Sequence, residues 1–207
     1  EFRRVLFRSF LGRQVARQLV QRGHQVRCLV RRHSELRPLQ YLPVEIWLGD
    51  VLDPASLPAA LDEQQAVVHL VGIIKEAPPQ VTFQSMHVDG TRNLVQAAVA
   101  AGVRRFVYVS ANGAAPNPAY PYLHTKWQAE ELVKASGLDW TILQPSILYG
   151  EGDGFLTQLA AIVRHPPSGG SVTLSPFAPV IGSGRTGFSD RKSTRLNSSH
   201  LGISYAV

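Results

Sequence analysis

The chain has 207 residues, with 21 Lys and Arg against 15 Asp and Glu, which gives a formal net charge of +6. No apolar run reaches the roughly 18 residues that a membrane-spanning helix needs, so no transmembrane segment is predicted. The single cysteine, Cys28, excludes an intramolecular disulfide framework and favours a reducing compartment, with the cytoplasm as the expected location. Because Cys28 lies within a predicted strand, we expect it to be a buried small hydrophobic residue.

Most of the net charge belongs to the two ends of the chain. Residues 1–9, EFRRVLFRS, and residues 190–198, DRKSTRLNS, are translations of opposite strands of one oligonucleotide that resembles a common sequencing adapter, and residues 199–207 continue it. We therefore set residues 1–9 and 190–207 aside as adapter-derived. This leaves 15 basic and 13 acidic residues and a net charge of +2, which removes the argument for a nucleic-acid partner. Residues 10–189 are then expected to be a fragment of a longer reading frame.

The first predicted unit, over residues 10–32, is the end of a glycine-rich turn, then an amphipathic helix, then a strand. Its apolar helical face consists of Leu11, Val15, Leu19 and Val20. Gly23 is expected just after the helix, and residues 25–30 alternate as a β-strand does. A helix of this length between two strands is typical of the first crossover of a dinucleotide-binding unit, so a further strand and glycines are expected before Phe10.

The rest of the chain alternates strands with helices. Strands are predicted at 44–48, 66–71, 105–109 and 140–143, a short polar turn or helix at 34–39, and helices at 54–61, 81–101, 120–135 and 155–163. Asp53 is the expected N-cap of the helix that Pro54 begins. Residues 66–71 are continuously apolar, as in a strand buried on both faces of a parallel sheet. The alternation predicts an α/β fold with a doubly wound, Rossmann-like parallel sheet, truncated at both ends.

Seven motifs occur in the order and at the spacing of one family. They are FLG at 10–12, RGHQVRCLVR at 22–31, GD at 49–50, HVDGTRNLVQAA at 87–98, RRFVYVSANGA at 104–114, YLHTK at 122–126 and GLDWTILQPSILYG at 137–150. Together they resemble an atypical short-chain dehydrogenase/reductase, close to the NmrA-like group and to the NAD(P)H-binding accessory subunit of respiratory complex I. The resemblance implies an NAD(P)-binding Rossmann domain over residues 10–150 and the start of a truncated substrate-binding region over residues 151–189.

The resemblance also implies which residues contact the cofactor phosphates. Gly12 is the last glycine of the family's fingerprint, where the absence of a Cβ lets helix and strand pack closely. Arg31 and Arg32 follow a strand at the point where an acidic residue would bind the ribose of NAD, and a guanidinium there fits the 2′-phosphate of NADP. Arg31 is the preferred residue of the two, and a solvated basic turn is the alternative. NADP is therefore the expected cofactor, with NAD as the other candidate.

Further cofactor contacts are expected at three other strand ends. The residues are Asp50 and Val51 after 44–48, Leu70, Val71 and Gly72 at the end of 66–71, and Pro145 and Ser146 after 140–143. In the family the aspartate lies near the adenine, and the alternative for Asp50 is an ordinary loop carboxylate. The apolar strand end at 70–72 would let the backbone approach the adenosine. Asn93 is expected to brace neighbouring strands through hydrogen bonds.

The expected catalytic residues are Tyr122, Lys126 and Ser110. The i, i+4 spacing of Tyr122 and Lys126 places phenol and ammonium on one helical face, where the cation should lower the pKa of the phenol for proton transfer. Lys126 would also hold the nicotinamide ribose. The resemblance implies a serine that polarises the substrate carbonyl, and Ser110 is the candidate, although Ala111 and Asn112 occupy the usual place of that hydroxyl.

Two functions remain open from the sequence. One is an NADP(H)-dependent oxidoreductase or epimerase that uses Tyr122 and Lys126. The other is a non-catalytic NADP(H)-binding assembly or accessory protein, soluble or peripheral to a respiratory-type membrane complex. The substrate is not identified. The histidines at 69, 87, 124 and 165 lack the spacing of metal ligands, so no metal site is predicted.

Overall fold

The computed structural model describes residues 6–32, 34, 36–146, 148 and 204–206. Its helices and strands are α1 Leu6–Gln21, β1 Arg27–Val30, β2 Glu45–Leu48, α2 Leu57–Leu61, β3 Ala66–His69, α3 Gly90–Ala100, β4 Arg105–Val109, α4 Pro121–Lys134, β5 Asp139–Leu143 and β6 Ser204–Ala206. Short 3₁₀ helices lie at Arg37–Leu39 and Pro54–Ser56, and a π-helix at Gln84–Asp89 leads into α3. The predicted α/β class is confirmed. The helix predicted at 155–163 lies outside the described residues.

The six strands form one parallel sheet in the order β2-β1-β6-β3-β4-β5. In the Rossmann order 3-2-1-4-5-6 the position between the second and fourth strands belongs to the first strand of the fold. Here Ser204–Ala206 occupies that position, between β1 and β3. A segment that the sequence analysis set aside therefore takes part in the sheet. The physical reason is that two facing strand edges with unpaired backbone groups can be paired by any extended segment.

Helix α1 begins earlier than the sequence predicted. The glycine-rich turn expected to end at residues 10–12 is not found, because the helix runs from Leu6 through Gly12 to Gln21 and Gly12 is buried within it. Residues 6–11, LFRSFL, contain no glycine for a tight turn, and Leu and Arg favour the helical conformation. The expected glycine-rich turn before the helix was therefore wrong for this chain, and the role of Gly12 in cofactor binding stays a prediction.

The other helix ends follow the local signals. Gly23, Gly102 and Gly137 follow α1, α3 and α4 with φ of +80°, +70° and +75°, a conformation that glycine adopts without strain. The Asp53 carboxylate accepts a hydrogen bond from the backbone N–H of Ala55 at 3.2 Å, so the predicted N-cap is confirmed. That cap opens a 3₁₀ turn, and α2 follows it.

Helices cover both faces of the sheet, as a doubly wound fold requires. The larger core cluster joins α2, α3 and α4 to one face and includes Leu29, Leu94 and Phe106. The smaller core cluster joins α1 to the other face and includes Leu19, Cys28 and Val68. Side chains alternate between faces along a strand, so neighbouring residues of one strand contribute to different clusters. Cys28 is buried as predicted, and burial raises the pKa of its thiol to about 11.

Candidate functional site

The predicted site residues lie at one edge of the sheet. Because all strands run in parallel, their carboxyl ends meet at this edge, where ligands bind in open α/β sheets. The residues are Arg31 and Arg32 after β1, Asp50 and Val51 after β2, Leu70, Val71 and Gly72 after β3, Ser110 after β4, Pro145 and Ser146 after β5, and Tyr122 and Lys126 on α4. Gly12, inside α1, is the exception.

The Lys126 ammonium is a buried charge at this edge. Lys126 is 4% exposed. Its Nζ donates hydrogen bonds to the Val109 carbonyl at 2.9 Å and to the Tyr108 hydroxyl at 3.3 Å. A Cβ built on Gly72 would lie 3.3 Å from this Nζ, so the glycine lets the end of β3 approach the ammonium closely. Burial lowers the pKa of Lys126 to about 8, and the Glu130 carboxylate opposes that change.

Tyr122 lies one turn before Lys126 in an aromatic environment. Its ring makes edge-on contacts with the rings of His87 and Phe83, at centroid distances of 5.4 and 5.6 Å. The spacing argument predicted that Lys126 would lower the pKa of the phenol. That prediction was wrong: burial raises the pKa of Tyr122, and the hydrogen bonds described for the ammonium go to Val109 and Tyr108.

The hydroxyl of Ser110 faces α4. It donates a hydrogen bond of 2.5 Å to Oε1 of Glu130, a residue that is 3% exposed. The Gln144 side-chain amide donates to the same oxygen at 2.8 Å, and Lys134 Nζ lies 3.6 Å from Oε2. A bond this short is typical of a hydroxyl bound to a carboxylate. The structure therefore gives Ser110 a buried partner, in contrast to the predicted contact with a substrate carbonyl.

The residues expected near the adenosine differ in their surroundings. Arg31 and Arg32 are both exposed, and the backbone N–H of Arg31 donates to Ser34 Oγ at 3.1 Å. The Asp50 carboxylate accepts from the backbone N–H of Leu52 at 3.0 Å, which closes a local Asx turn. This contact fits the alternative of an ordinary loop carboxylate.

Two backbone carbonyls at the carboxyl ends of the strands accept hydrogen bonds from neighbouring segments. Asn93 on α3 donates through Nδ2 to the Val51 carbonyl at 2.9 Å, so the side chain braces α3 against the end of β2. The Pro145 carbonyl accepts from the backbone N–H of Asn112 at 2.9 Å, while Ser146 is exposed. These contacts position the strand ends without using the side chains of Val51 or Pro145.

Sequence reasoning missed a group of buried polar residues beneath this edge. His69 is fully buried at the end of β3, where its Nε2 lies 2.8 Å from Thr91 Oγ1 and its ring stacks on Tyr108 at 5.3 Å. Burial lowers the pKa of His69 to about 3, with a smaller contribution from Lys126, so the ring is neutral at physiological pH. Burial also raises the pKa of Tyr108 above its ordinary value.

His87 links three elements next to Tyr122. Its Nδ1 lies 3.0 Å from Thr125 Oγ1 on α4, and its Nε2 lies 3.1 Å from the backbone N and O of Ile73. The spacing of His69 and His87 argues against metal binding but does not by itself show that they are buried. The signal that could have identified them as buried is their position, since His69 ends an apolar strand and His87 lies on the apolar side of the predicted helix.

Comparison with protein families identifies the family of the chain. A model of NAD(P)H-binding proteins matches residues 9–181. The chain belongs to this NAD(P)H-binding family.

Known proteins give the same assignment. The chain is 33% identical over 150 residues to the photosystem II assembly factor Ycf39 of Synechocystis, covering 72% of this chain and 44% of that protein. It is 35% identical over 159 residues to the ceramide reductase of Caulobacter vibrioides, covering 77% and 50%. It is 32% identical over 157 residues to the NADH dehydrogenase [ubiquinone] 1 alpha subcomplex subunit 9 of Rattus norvegicus, covering 73% and 41%. The chain thus spans half or less of the length of these relatives.

A solved structure shows the same fold with a bound dinucleotide. The Bordetella bronchiseptica enzyme WbmH in complex with NAD+ matches with a TM-score of 0.64 and 25% identity, over 74% of this chain and 58% of that one. These matches confirm the resemblance to atypical short-chain dehydrogenases/reductases and the Rossmann-like sheet. Among the described residues, no helix has both the length and the apolar composition needed to cross a bilayer.

Proposed function

We propose that this chain is the cofactor-binding part of an NADP(H)-dependent oxidoreductase or epimerase in which Tyr122 and Lys126 act beside the nicotinamide. The observation that carries this proposal is the buried Lys126 ammonium at the carboxyl edge of the sheet, next to Gly72 and one helical turn from Tyr122. A charge is buried at a cost of several kcal/mol, so such a group is retained where its charge has a role. The family and the relatives support a nicotinamide dinucleotide as the ligand.

The electrostatics of Tyr122 favour one direction of proton transfer. Burial raises the pKa of this phenol, so the neutral, proton-donating form is the resting form at neutral pH. When bound, the cofactor would supply a hydride to the carbonyl carbon of the substrate, and Tyr122 would give its proton to the carbonyl oxygen. Lys126, one turn away, would hold the nicotinamide ribose. This neutral form of Tyr122 suits the reduction of a carbonyl group, which needs a proton donor.

Arg31 is the proposed selector for NADP. It is exposed at the end of β1, where its guanidinium can bind the 2′-phosphate, and loss of a hydrogen bond to a charged group costs roughly 1.5–3 kcal/mol. We expect Arg31→Ala to lower the affinity for NADPH about tenfold or more while leaving NADH almost unchanged, as measured by calorimetry. Arg32→Ala is the matched control, with a smaller effect. An unchanged NADPH/NADH affinity ratio in Arg31→Ala rejects this assignment.

A second function is favoured by two observations. Relatives of this chain are an assembly factor of photosystem II and a subunit of NADH dehydrogenase, and the Ser110 hydroxyl is held by Glu130. The chain would then hold NADP(H) structurally, as a part of a protein peripheral to a membrane complex. Tyr122→Phe separates the two functions. It abolishes turnover of NADPH in the first, whereas in the second it leaves both NADPH binding and the assembly role intact.

A further inference from the structure

Glu130 is a buried carboxylate that the proposed proton transfer does not use. It is 3% exposed, and its Oε1 accepts hydrogen bonds from Ser110 Oγ at 2.5 Å and from Gln144 Nε2 at 2.8 Å. Lys134 lies 3.6 Å from Oε2, but this lysine also pairs with the exposed Glu131 at 2.8 Å. A buried carboxylate needs several polar partners to offset its loss of hydration, and Glu130 has them.

The position of Glu130 connects it to the proposed site. Tyr122, Lys126 and Glu130 are spaced at i, i+4 and i+8, so they share one face of α4. The two donors to Glu130 come from elsewhere in the fold: Ser110 follows β4 and Gln144 follows β5. The carboxylate therefore fixes the C-terminal half of α4 to two strand ends at the carboxyl edge of the sheet.

The ammonium of Lys126 and the carboxylate of Glu130 interact through a buried environment without a direct hydrogen bond. The hydrogen bonds described for Nζ go to Val109 and Tyr108. Because the effective dielectric constant of a protein interior is lower than that of water, a fixed charge one helical turn away still has a large effect. We propose that Glu130, held by Ser110 and Gln144, is a positioning residue that keeps the buried ammonium of Lys126 charged and in place.

The groups around Lys126 explain why Glu130 has this role. The titratable groups that face or influence Lys126 are Tyr108 on β4, His69 on β3, His87 on the π-helix, Tyr122 and Glu130 on α4, and, beyond Glu130, Lys134. His69 and the tyrosines are neutral at physiological pH, so they supply no compensating charge. Burial lowers the pKa of Lys126 to about 8, and Glu130 is the group that raises it.

The experiment follows the charge on Lys126 directly. The chain has four lysines, so ¹³C labelling at lysine Cε gives few NMR signals, and Lys126→Met assigns the one at position 126. We expect this signal to titrate near pH 8 in the full chain. In Glu130→Gln the titration midpoint should fall by about one pH unit, since an opposite charge shifts a pKa by roughly that much or more. Glu131→Gln, the same chemical change at the exposed neighbour, should leave the midpoint unchanged.

Two further variants test the charge of Glu130 and its hydrogen bond from Ser110. Glu130→Asp keeps the charge and should restore part of the shift, and Ser110→Ala keeps the carboxylate but removes one of its donors, so it should lower the Lys126 midpoint by less than Glu130→Gln does. A folded Glu130→Gln protein with an unchanged Lys126 midpoint overturns the proposal. If Glu130→Gln does not fold, an unchanged midpoint in Ser110→Ala overturns it instead.

The consequence for cofactor binding rests on the proposed function and is measured separately. If the Lys126 ammonium holds the nicotinamide ribose, the pH at which NADPH affinity declines should move down in Glu130→Gln together with the NMR midpoint. Because the NMR titration needs no cofactor, failure of the proposed function and failure of the proposed role of Glu130 give different results. A shifted NMR midpoint with no NADPH binding in the wild type would reject the proposed function and leave the role of Glu130 standing.

Discussion

The two halves of the sheet are built in different ways. On one side of the centre, β3, β4 and β5 follow one another along the chain, and α3 and α4 connect them. On the other side, β1 and β2 join the rest of the sheet through β6, which comes from residues 204–206. The first half is local in sequence, and we call it the nicotinamide half because it carries the proposed Tyr122 and Lys126. The second half with α1 depends on a segment distant in sequence, and we call it the phosphate half because it carries the proposed Arg31.

This difference matters for the proposed site. The nicotinamide half carries the buried Lys126 and Glu130, with polar partners that the structure describes. The phosphate half carries two exposed arginines and a glycine that lies inside a helix. Preorganisation of charge is therefore concentrated on one side of the sheet. We expect the electrostatic consequences of mutation to be concentrated there as well.

The largest expected effect concerns His69 in the nicotinamide half. Its pKa is lowered to about 3 in the folded protein, against an ordinary value of 6.5. Between these values the unfolded chain binds a proton that the folded protein does not, so stability is lost as the pH falls below 6.5. The loss should reach about 4–5 kcal/mol near pH 3. In His69→Phe this acid sensitivity should disappear, as measured by urea denaturation between pH 3.5 and 7.

The control for this prediction is in the phosphate half. His24→Gln removes a partly exposed histidine in the turn before β1, and the acid sensitivity of the wild type should remain in that variant. A His69→Phe protein that loses stability in acid as steeply as the wild type would contradict the prediction.

The second prediction compares the two core clusters. Leu94 is fully buried in the larger cluster, and Leu19 is 8% exposed in the smaller one. Replacing a buried leucine by alanine costs roughly 2–5 kcal/mol, and the cost increases with the cavity that remains. We expect Leu94→Ala to lower the free energy of unfolding by about 3–5 kcal/mol and Leu19→Ala by about 2 kcal/mol, measured by urea denaturation. Equal costs would indicate that both clusters are equally well packed.

The sequence predicted the nicotinamide half well because its signals are local. The strand at 105–109 has the predicted bounds, because it depends on the hydrophobic pattern alone. The glycines after α3 and α4 end those helices with positive φ, which is also a signal carried by a single residue. The start of α1 was not predicted because residues 6–9 had been set aside as adapter-derived, and the strand at 204–206 was not predicted because any extended segment can pair with two facing strand edges. The bond between Ser110 and Glu130 was also missed, since pairing of residues twenty positions apart follows from packing.

The third prediction uses the pH dependence of Lys126. Its pKa is lowered from 10.5 to about 8 by burial, so between these values the unfolded chain binds a proton that the folded protein lacks. Stability from this residue therefore rises as the pH increases from 8 to 10.5, by about 3 kcal/mol. The buried tyrosines and Cys28 act in the opposite direction at high pH. The difference between wild type and Lys126→Met isolates the lysine, and a constant difference over this range contradicts the prediction.

The smallest effect tests whether the two halves unfold together. Gly23 after α1 and Gly137 after α4 have φ of +80° and +75°, and a Cβ at either position would meet no atom within 4 Å. Replacement by alanine therefore costs only the strain of a left-handed backbone, about 1–2 kcal/mol. Leu29 of β1 belongs to the larger cluster and Val68 of β3 to the smaller one, so each core contains residues from both halves. We expect Gly23→Ala and Gly137→Ala to lower the free energy of unfolding equally, with a single urea transition. In a cooperative unit, strain at either position lowers the free energy of unfolding of the whole unit. A smaller cost for Gly23→Ala, with early hydrogen exchange in α1, would show that the phosphate half opens before the rest of the sheet.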